Sequence, residues 1–173
     1  MGTIKTTNIE PIADNGTVTL GSSGDTFTLG SGVTQTIAIN TPAFYSYQSS
    51  NQSITSGTTT KINFQTEILD SDNNFASSTF TPTTAGYYLI TVGLKCFSGS
   101  AEYFLVLRRN GSNYHTLRNE VFTNYQLSGS AIVYANGSGD YFDVTFFQNS
   151  GSTRTTTATQ LNTWFSGFRI IGV

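Results

Sequence analysis

From about residue 60 onward, apolar side chains recur at every second position in short stretches separated by Gly, Asn, Ser and Asp. In "KINFQTEI" the residues Ile62, Phe64, Thr66 and Ile68 share one side. In "YYLITVGLKC" the inward set is Tyr88, Ile90, Val92, Leu94 and Cys96. A period of two places successive side chains on opposite faces of an extended chain, so these stretches predict strands with one buried face. "AEYFLVLRR" is more continuously apolar and stops at Asn110-Gly111, a strong hairpin signal. "SGSAIVYANGSGDYFDVTFFQNSG" predicts a second strand pair joined around Asn136-Gly137, with Phe142, Val144 and Phe146 on one face and Tyr141, Asp143, Thr145 and Phe147 on the other. Helical periodicity is nearly absent. Many short strands with turn residues between them, from Pro42 to Val173, predict a β-sandwich or barrel.

The last stretch breaks the rule. "TWFSGFRII" puts Phe165 and Gly167 on one side and Trp164, Phe168 and Ile170 on the other, so it is apolar on both. Such a strand is expected to be covered on both faces. Gly167 fits a place where a ring or another backbone comes close.

Residues 1–41 have a different pattern. "TVTLGSSGD" is echoed nine residues later by "TFTLGSGVT", and "TIAIN" continues the alternation. These read as short strands in a Thr/Gly-rich stem whose apolar face is too small to bury within one chain. A flexible Gly/Ser linker is the other reading. The expected organisation is therefore a stem over 1–41 and a head over 42–173.

Composition narrows the function. Only 10% of the 173 residues are charged, against about 25% in a typical globular protein, so the surface is hydroxyl- and amide-rich. Eight Lys and Arg residues against ten Asp and Glu give a net charge of −2, and Arg108-Arg109 is too small a basic patch to suggest nucleic acid. One cysteine, Cys96, excludes an intrachain disulfide and reads as a small packing residue. The N-terminal stretch has no hydrophobic signal region, and no apolar run approaches the ~20 residues of a membrane span. A protein made in the cytoplasm, without secretion or membrane insertion, is expected.

In this order the segments resemble the tumour necrosis factor/complement globular-head jelly-roll superfamily. The resemblance runs from about Ala43 to Val173. It is carried by Phe64, Asp70, Phe75 and Phe80, by Gly86 and Tyr88 in "AGYYLITV", by "LRRNG", by "SGSAIVYANGSGD" and by the terminal "WFSGF". Phe75 and Phe80 stand closer together than in the family pattern, and Ile90 occupies a position where an aromatic is common. The "TLGSSGDTFTLGSG" segment resembles spacers of bacteriophage fibre and decoration proteins. The resemblance implies an all-β jelly-roll head that assembles as a homotrimer on a short stem. With Tyr88, Phe142 and Phe165 taken as core-facing, alternation assigns Tyr87, Leu89, Tyr141, Phe147, Trp164 and Phe168 to the trimer interface.

Candidate chemistry is sparse. His115 is the only histidine, so a two-histidine metal site within one chain is excluded and a Ser-His-Asp arrangement would depend on that one residue. No pair of carboxylates stands out for glycoside hydrolysis. "DSDNN" (Asp70, Asp72, Asn74) imitates the first half of a calcium loop but has Phe75 where the loop glycine belongs; a solvated turn and a calcium site are both readings. No cofactor, metal or catalytic residue is assigned. The expected function is that of a non-enzymatic virion protein, a trimeric phage fibre or decoration protein for host-surface adhesion or particle decoration. Its partners would be its own copies, other virion proteins through the N-terminal segment, and a host glycan or protein. A soluble trimeric receptor ligand and a carbohydrate-binding, lectin-like module are the alternatives.

Overall fold

The computed structural model of the chain describes residues 40–96, 101–122 and 125–171. All of them belong to one compact unit, Ala38–Val173. The stem predicted over 1–41 falls almost entirely outside the described residues.

In chain order the described strands are β1 (Ala43–Tyr47), β2 (Ser53–Ile54), β3 (Thr60–Lys61), β4 (Thr66–Asp70), β5 (Phe75–Ala76), β6 (Thr79–Phe80), β7 (Gly86–Cys96), β8 (Ala101–Arg109), β9 (Ser112–Phe122), β10 (Tyr125–Ala135), β11 (Phe142–Gln148), β12 (Arg154–Thr155) and β13 (Trp164–Arg169). They form an antiparallel sandwich. The first sheet runs β10-β7-β13-β1-β4 and the second β5-β6-β11-β8-β9, with β3 also paired to β11 and a small β2–β12 ribbon beside them.

The core between the sheets is the set of positions that alternation selects. Tyr88, Ile90, Val92, Leu94 and Cys96 of β7 are buried, as are Phe142, Val144 and Phe146 of β11 and Phe165 of β13. Aromatic rings interlock across the middle: Phe44 stacks on Phe80 at 4.3 Å and on Phe75 at 4.9 Å, and meets Phe165 edge-on at 4.8 Å. Each fully buried side chain of this size stabilises by about 1.5–3 kcal/mol. The close spacing of Phe75 and Phe80 is met by a tight connection, in which Ser77 and Ser78 adopt φ of 50° and 59° and the two phenylalanines pair across β5 and β6. The Asn110-Gly111 hairpin between β8 and β9 forms as expected, with φ of 53° and 78°.

Two expectations fail. "KINFQTEI" is not one strand: Lys61 pairs within the second sheet and Thr66 begins a strand of the first. The chain crosses the sandwich between them and buries Ile62 and Phe64 on the way. Ile68 is then 55% exposed. In the β1–β4 register Tyr45 faces Leu69 and Ser46 faces Glu67, so Ile68 is the extra residue of a bulge, and a bulge resets which face follows. Nor do β10 and β11 pair. β10 runs along β7 for its whole length, and β11 pairs with β8. The Asn136–Tyr141 turn is a corner between sheets, packed so closely that a Cβ on Gly137 would lie 2.4 Å from the Ala85 nitrogen.

Asp140 holds that corner. Its carboxylate accepts from the Arg109 guanidinium at 2.6 Å, the Asn110 amide at 2.8 Å and the Asn136 backbone N–H at 2.8 Å, tying the β10–β11 turn to the β8–β9 hairpin. At the sandwich's other end, buried amides replace strand pairing. Gln48 donates to the Asn63 carbonyl, Thr156 hydrogen-bonds Gln48, and Gln148 donates to the carbonyls of Ile54 and Ser152. Along one side the edge strands β9 and β10 approach each other at Gly129, where an added Cβ would lie 2.8 Å from the Leu117 carbonyl oxygen.

Candidate functional site

The structure separates the six predicted interface residues. Tyr87 and Leu89 of β7 and Trp164 and Phe168 of β13 share the outer face of the first sheet, where Phe168 is opposite Leu89 and Trp164 opposite Gly93. Tyr141 and Phe147 belong to the other sheet, at and within β11. The six therefore do not form one patch. Alternation states whether a side chain points toward or away from the core, but a sandwich has two outward faces, and only sheet membership distinguishes them.

The first outer face is aromatic and open. Tyr87 is 46% exposed and Phe168 39%. β10 adds Ile132 and Tyr134, opposite Leu89 and Tyr87, and the two tyrosine rings meet edge-on at 5.4 Å. β1 adds Tyr45, whose ring lies 6.4 Å from the Trp164 indole. The indole comes close to β7 because Gly93 has no side chain; a Cβ there would be 2.5 Å from the indole nitrogen. On the inner side of β13, Gly167 admits Ile90 and Phe44, whose nearest carbons would lie 2.6 and 2.9 Å from an added Cβ. The close approach predicted at Gly167 is thus made by core side chains.

Tyr45, Ile132 and Tyr134 belong to this face without being among the six residues expected there. Their signal was present as alternation in "AFYSY" and "AIVYA". It carried no information on which strands lie beside β13.

The second outer face is recessed. Phe104 and Val106 of β8 and Phe147 of β11 form the apolar part of a cavity of about 370 Å³, and Thr59, Asn113, Thr116 and Thr145 complete its lining. The Phe104 and Phe147 rings are 5.7 Å apart, inclined at 59°. Next to it Asp143 is buried and receives two 2.6 Å hydrogen bonds from Arg108, with Lys61 at 3.7 Å.

The remaining candidates have local explanations. Each Asp70 oxygen accepts a backbone N–H, from Asn74 and from Phe75, both at 2.9 Å, and Asn74 donates to the Asp72 carbonyl at 3.2 Å. Both Asp70 oxygens are thus engaged in closing the loop between β4 and β5. No group of three or more His, Cys, Asp or Glu gathers among the described residues. His115 lies on the exposed strand β9, with its ring against Tyr114 at 4.8 Å. Burial pushes the Cys96 thiol up to about 11.

No family model and no characterised protein matches the sequence. Solved structures do. The globular domain of zebrafish complement 1qA protein aligns with 75% of this chain and 96% of its own, at 18% identity and a TM-score of 0.53. Murine APRIL aligns over 74% and 98%, at 12% identity and a TM-score of 0.54. The vertex protein P5 of PRD1 aligns over 77% and 99%, at 15% identity and a TM-score of 0.53. At these identities the likeness concerns the path of the backbone, and the chain has the jelly-roll fold shared by the complement globular head and the tumour necrosis factor-like proteins.

Proposed function

We propose that this chain is a non-enzymatic structural protein of a phage particle, a homotrimeric fibre or decoration protein whose jelly-roll head serves host-surface adhesion or particle decoration. The observation that carries the trimer is the open aromatic face of the first sheet. Tyr87, Ile132, Tyr134 and Phe168 are each between 39% and 60% exposed on neighbouring strands. Contiguous apolar surface of this kind marks an interaction site, and closed rings of identical chains are the ordinary way to cover it. Leu89 and Trp164 lie within this face, so they belong to the proposed contact. Tyr141 and Phe147 lie on the second sheet and are left out of it.

The fold likeness to a vertex protein supports the particle context. In this reading residues 1–41 attach the head to other virion proteins and the head stands at the virion surface. Light scattering tests the assembly: three chains of 18.7 kDa each are expected, and a mass near one chain overturns the reading. Locating the head in an imaged particle tests the context.

A further inference from the structure

The cavity on the second outer face has a composition unlike its surroundings. Phe104, Val106 and Phe147 give it apolar surface, Thr59, Thr116, Thr145 and Asn113 add hydroxyls and an amide, and none of its lining residues is charged. Of the charges beside it, Arg108 clasps Asp143 with both hydrogen bonds, and Lys61, paired with Thr145 across β3 and β11, donates to the Ser77 carbonyl and the Thr79 hydroxyl. At about 370 Å³ it lies in the lower part of the roughly 300–1,000 Å³ range of small-molecule sites.

One further feature marks it as built for a ligand. Thr145 is only 2% exposed, and its hydroxyl has no hydrogen-bond partner in the protein. Buried polar groups are ordinarily paired, and a bare hydroxyl on a cavity floor is a position that a ligand group can satisfy. The Phe104 and Phe147 rings line the cavity beside it, and an aromatic π-face, of negative potential, attracts the weakly positive C–H edges of a saturated ring. Asn113 adds a donor and an acceptor, and Thr116 a hydroxyl that does either.

We propose that this groove binds a neutral sugar unit of a glycan, with Phe104 and Phe147 against the sugar's C–H face and Asn113, Thr116 and Thr145 bonded to its hydroxyls. The cations beside the groove are already engaged, Arg108 by Asp143 and Lys61 by Ser77 and Thr79, which disfavours an acidic sugar, and a purely apolar ligand leaves the Thr145 hydroxyl unpaired. This assignment names the adhesive site of the head, and in that sense it rests on the adhesion reading above. The groove lies within one chain, so its ligand test is independent of the trimer test.

The experiment uses the full chain, a panel of neutral methyl glycosides, an array carrying both neutral and charged glycans, and calorimetry on those that bind. Binding that is insensitive to salt is expected, weakened about tenfold in Phe147→Ala. Thr145→Val keeps the side-chain shape but removes the unpaired hydroxyl; it is expected to weaken binding while leaving the melting temperature equal or higher. Failure of every neutral glycan to bind overturns the proposal, as does affinity unchanged in both variants, or binding confined to charged glycans and lost with salt. A single-chain mass in light scattering overturns the trimer reading and leaves the groove assignment standing.

Discussion

The indole of Trp164 rests on Gly93, directly across the β13–β7 register, in space that any other residue's Cβ would occupy. The contact fixes the tryptophan on the outer face of the first sheet, beside Tyr45. Gly93→Ala must lift the ring, because the added carbon would lie 2.5 Å from its nitrogen. A loss of about 1–3 kcal/mol of stability is expected. Trp164 is the only tryptophan, so its fluorescence reports the displacement without interference. An emission spectrum identical to that of the parent protein would refute the packing.

If the first outer face is the contact between copies, truncating it lowers the trimer's dissociation midpoint. Trp164→Ala and Phe168→Ala are expected to do so by well over tenfold in concentration, since aromatic anchors at interfaces are worth about 2 kcal/mol or more. Phe147→Ala, an equal truncation on the opposite face, is the control and leaves the midpoint in place. The reverse pattern would move the interface to the second sheet.

Gly167 faces inward. A methyl group there meets Ile90, Phe44 and the Leu89 carbonyl oxygen, the last at 3.0 Å on a backbone that the β7–β13 pairing holds. Gly167→Ala is expected to destabilise the fold by about 1–3 kcal/mol, read as a lower denaturant midpoint at unchanged slope. An unchanged midpoint would mean that the core has room the packing does not show.

The sheet corner at Asp140 is sensitive to acid. Its hydrogen bond from Arg109, with further ones from Asn110 and the Asn136 N–H, lowers its pKa from 3.8 to about 2. The folded protein therefore holds this carboxylate ionised where the unfolded chain has begun to protonate it. The stabilisation is complete above about pH 4 and is lost as pH falls through about 2. Asp140→Asn is expected to flatten that part of the melting-temperature profile and to cost about 1–3 kcal/mol at neutral pH through the Arg109 hydrogen bond it weakens. A profile of unchanged slope between pH 4 and 2 would contradict the assignment.

Cys96 is buried, and its pKa of about 11 keeps it a thiol at neutral pH. Its labelling by a thiol reagent is expected to follow the opening of the fold, with a rate that rises with denaturant in step with unfolding. Labelling in the time of mixing, in native buffer, would refute this.

Much of the core is legible in the sequence, because period-two alternation is a direct consequence of strand geometry. The inward sets of β7 and β11, and Phe165 on β13, are buried as that rule requires. The misread places each involve chain that changes partners. Ile62 and Ile68 look equivalent in "KINFQTEI", but the segment leaves one sheet and joins the other, and a bulge at Ile68 resets the face. Asn136-Gly137 looks like a hairpin, yet its strands pair with β7 and β8 in different sheets.

The same division holds for the surfaces. Alternation and composition are enough to point Trp164 and Phe147 away from the core, to give Gly167 a close neighbour and to leave the exterior weakly charged. These properties depend on a residue and the two or three beside it. That Trp164, Phe168, Tyr87 and Tyr134 form one face while Phe147 and Phe104 form a groove on the other follows from strand pairing across the fold. The physical reason is that a strand's side-chain directions are set locally by the pleat, but its neighbours are chosen by long-range pairing, and residues distant in sequence meet only once that pairing is made.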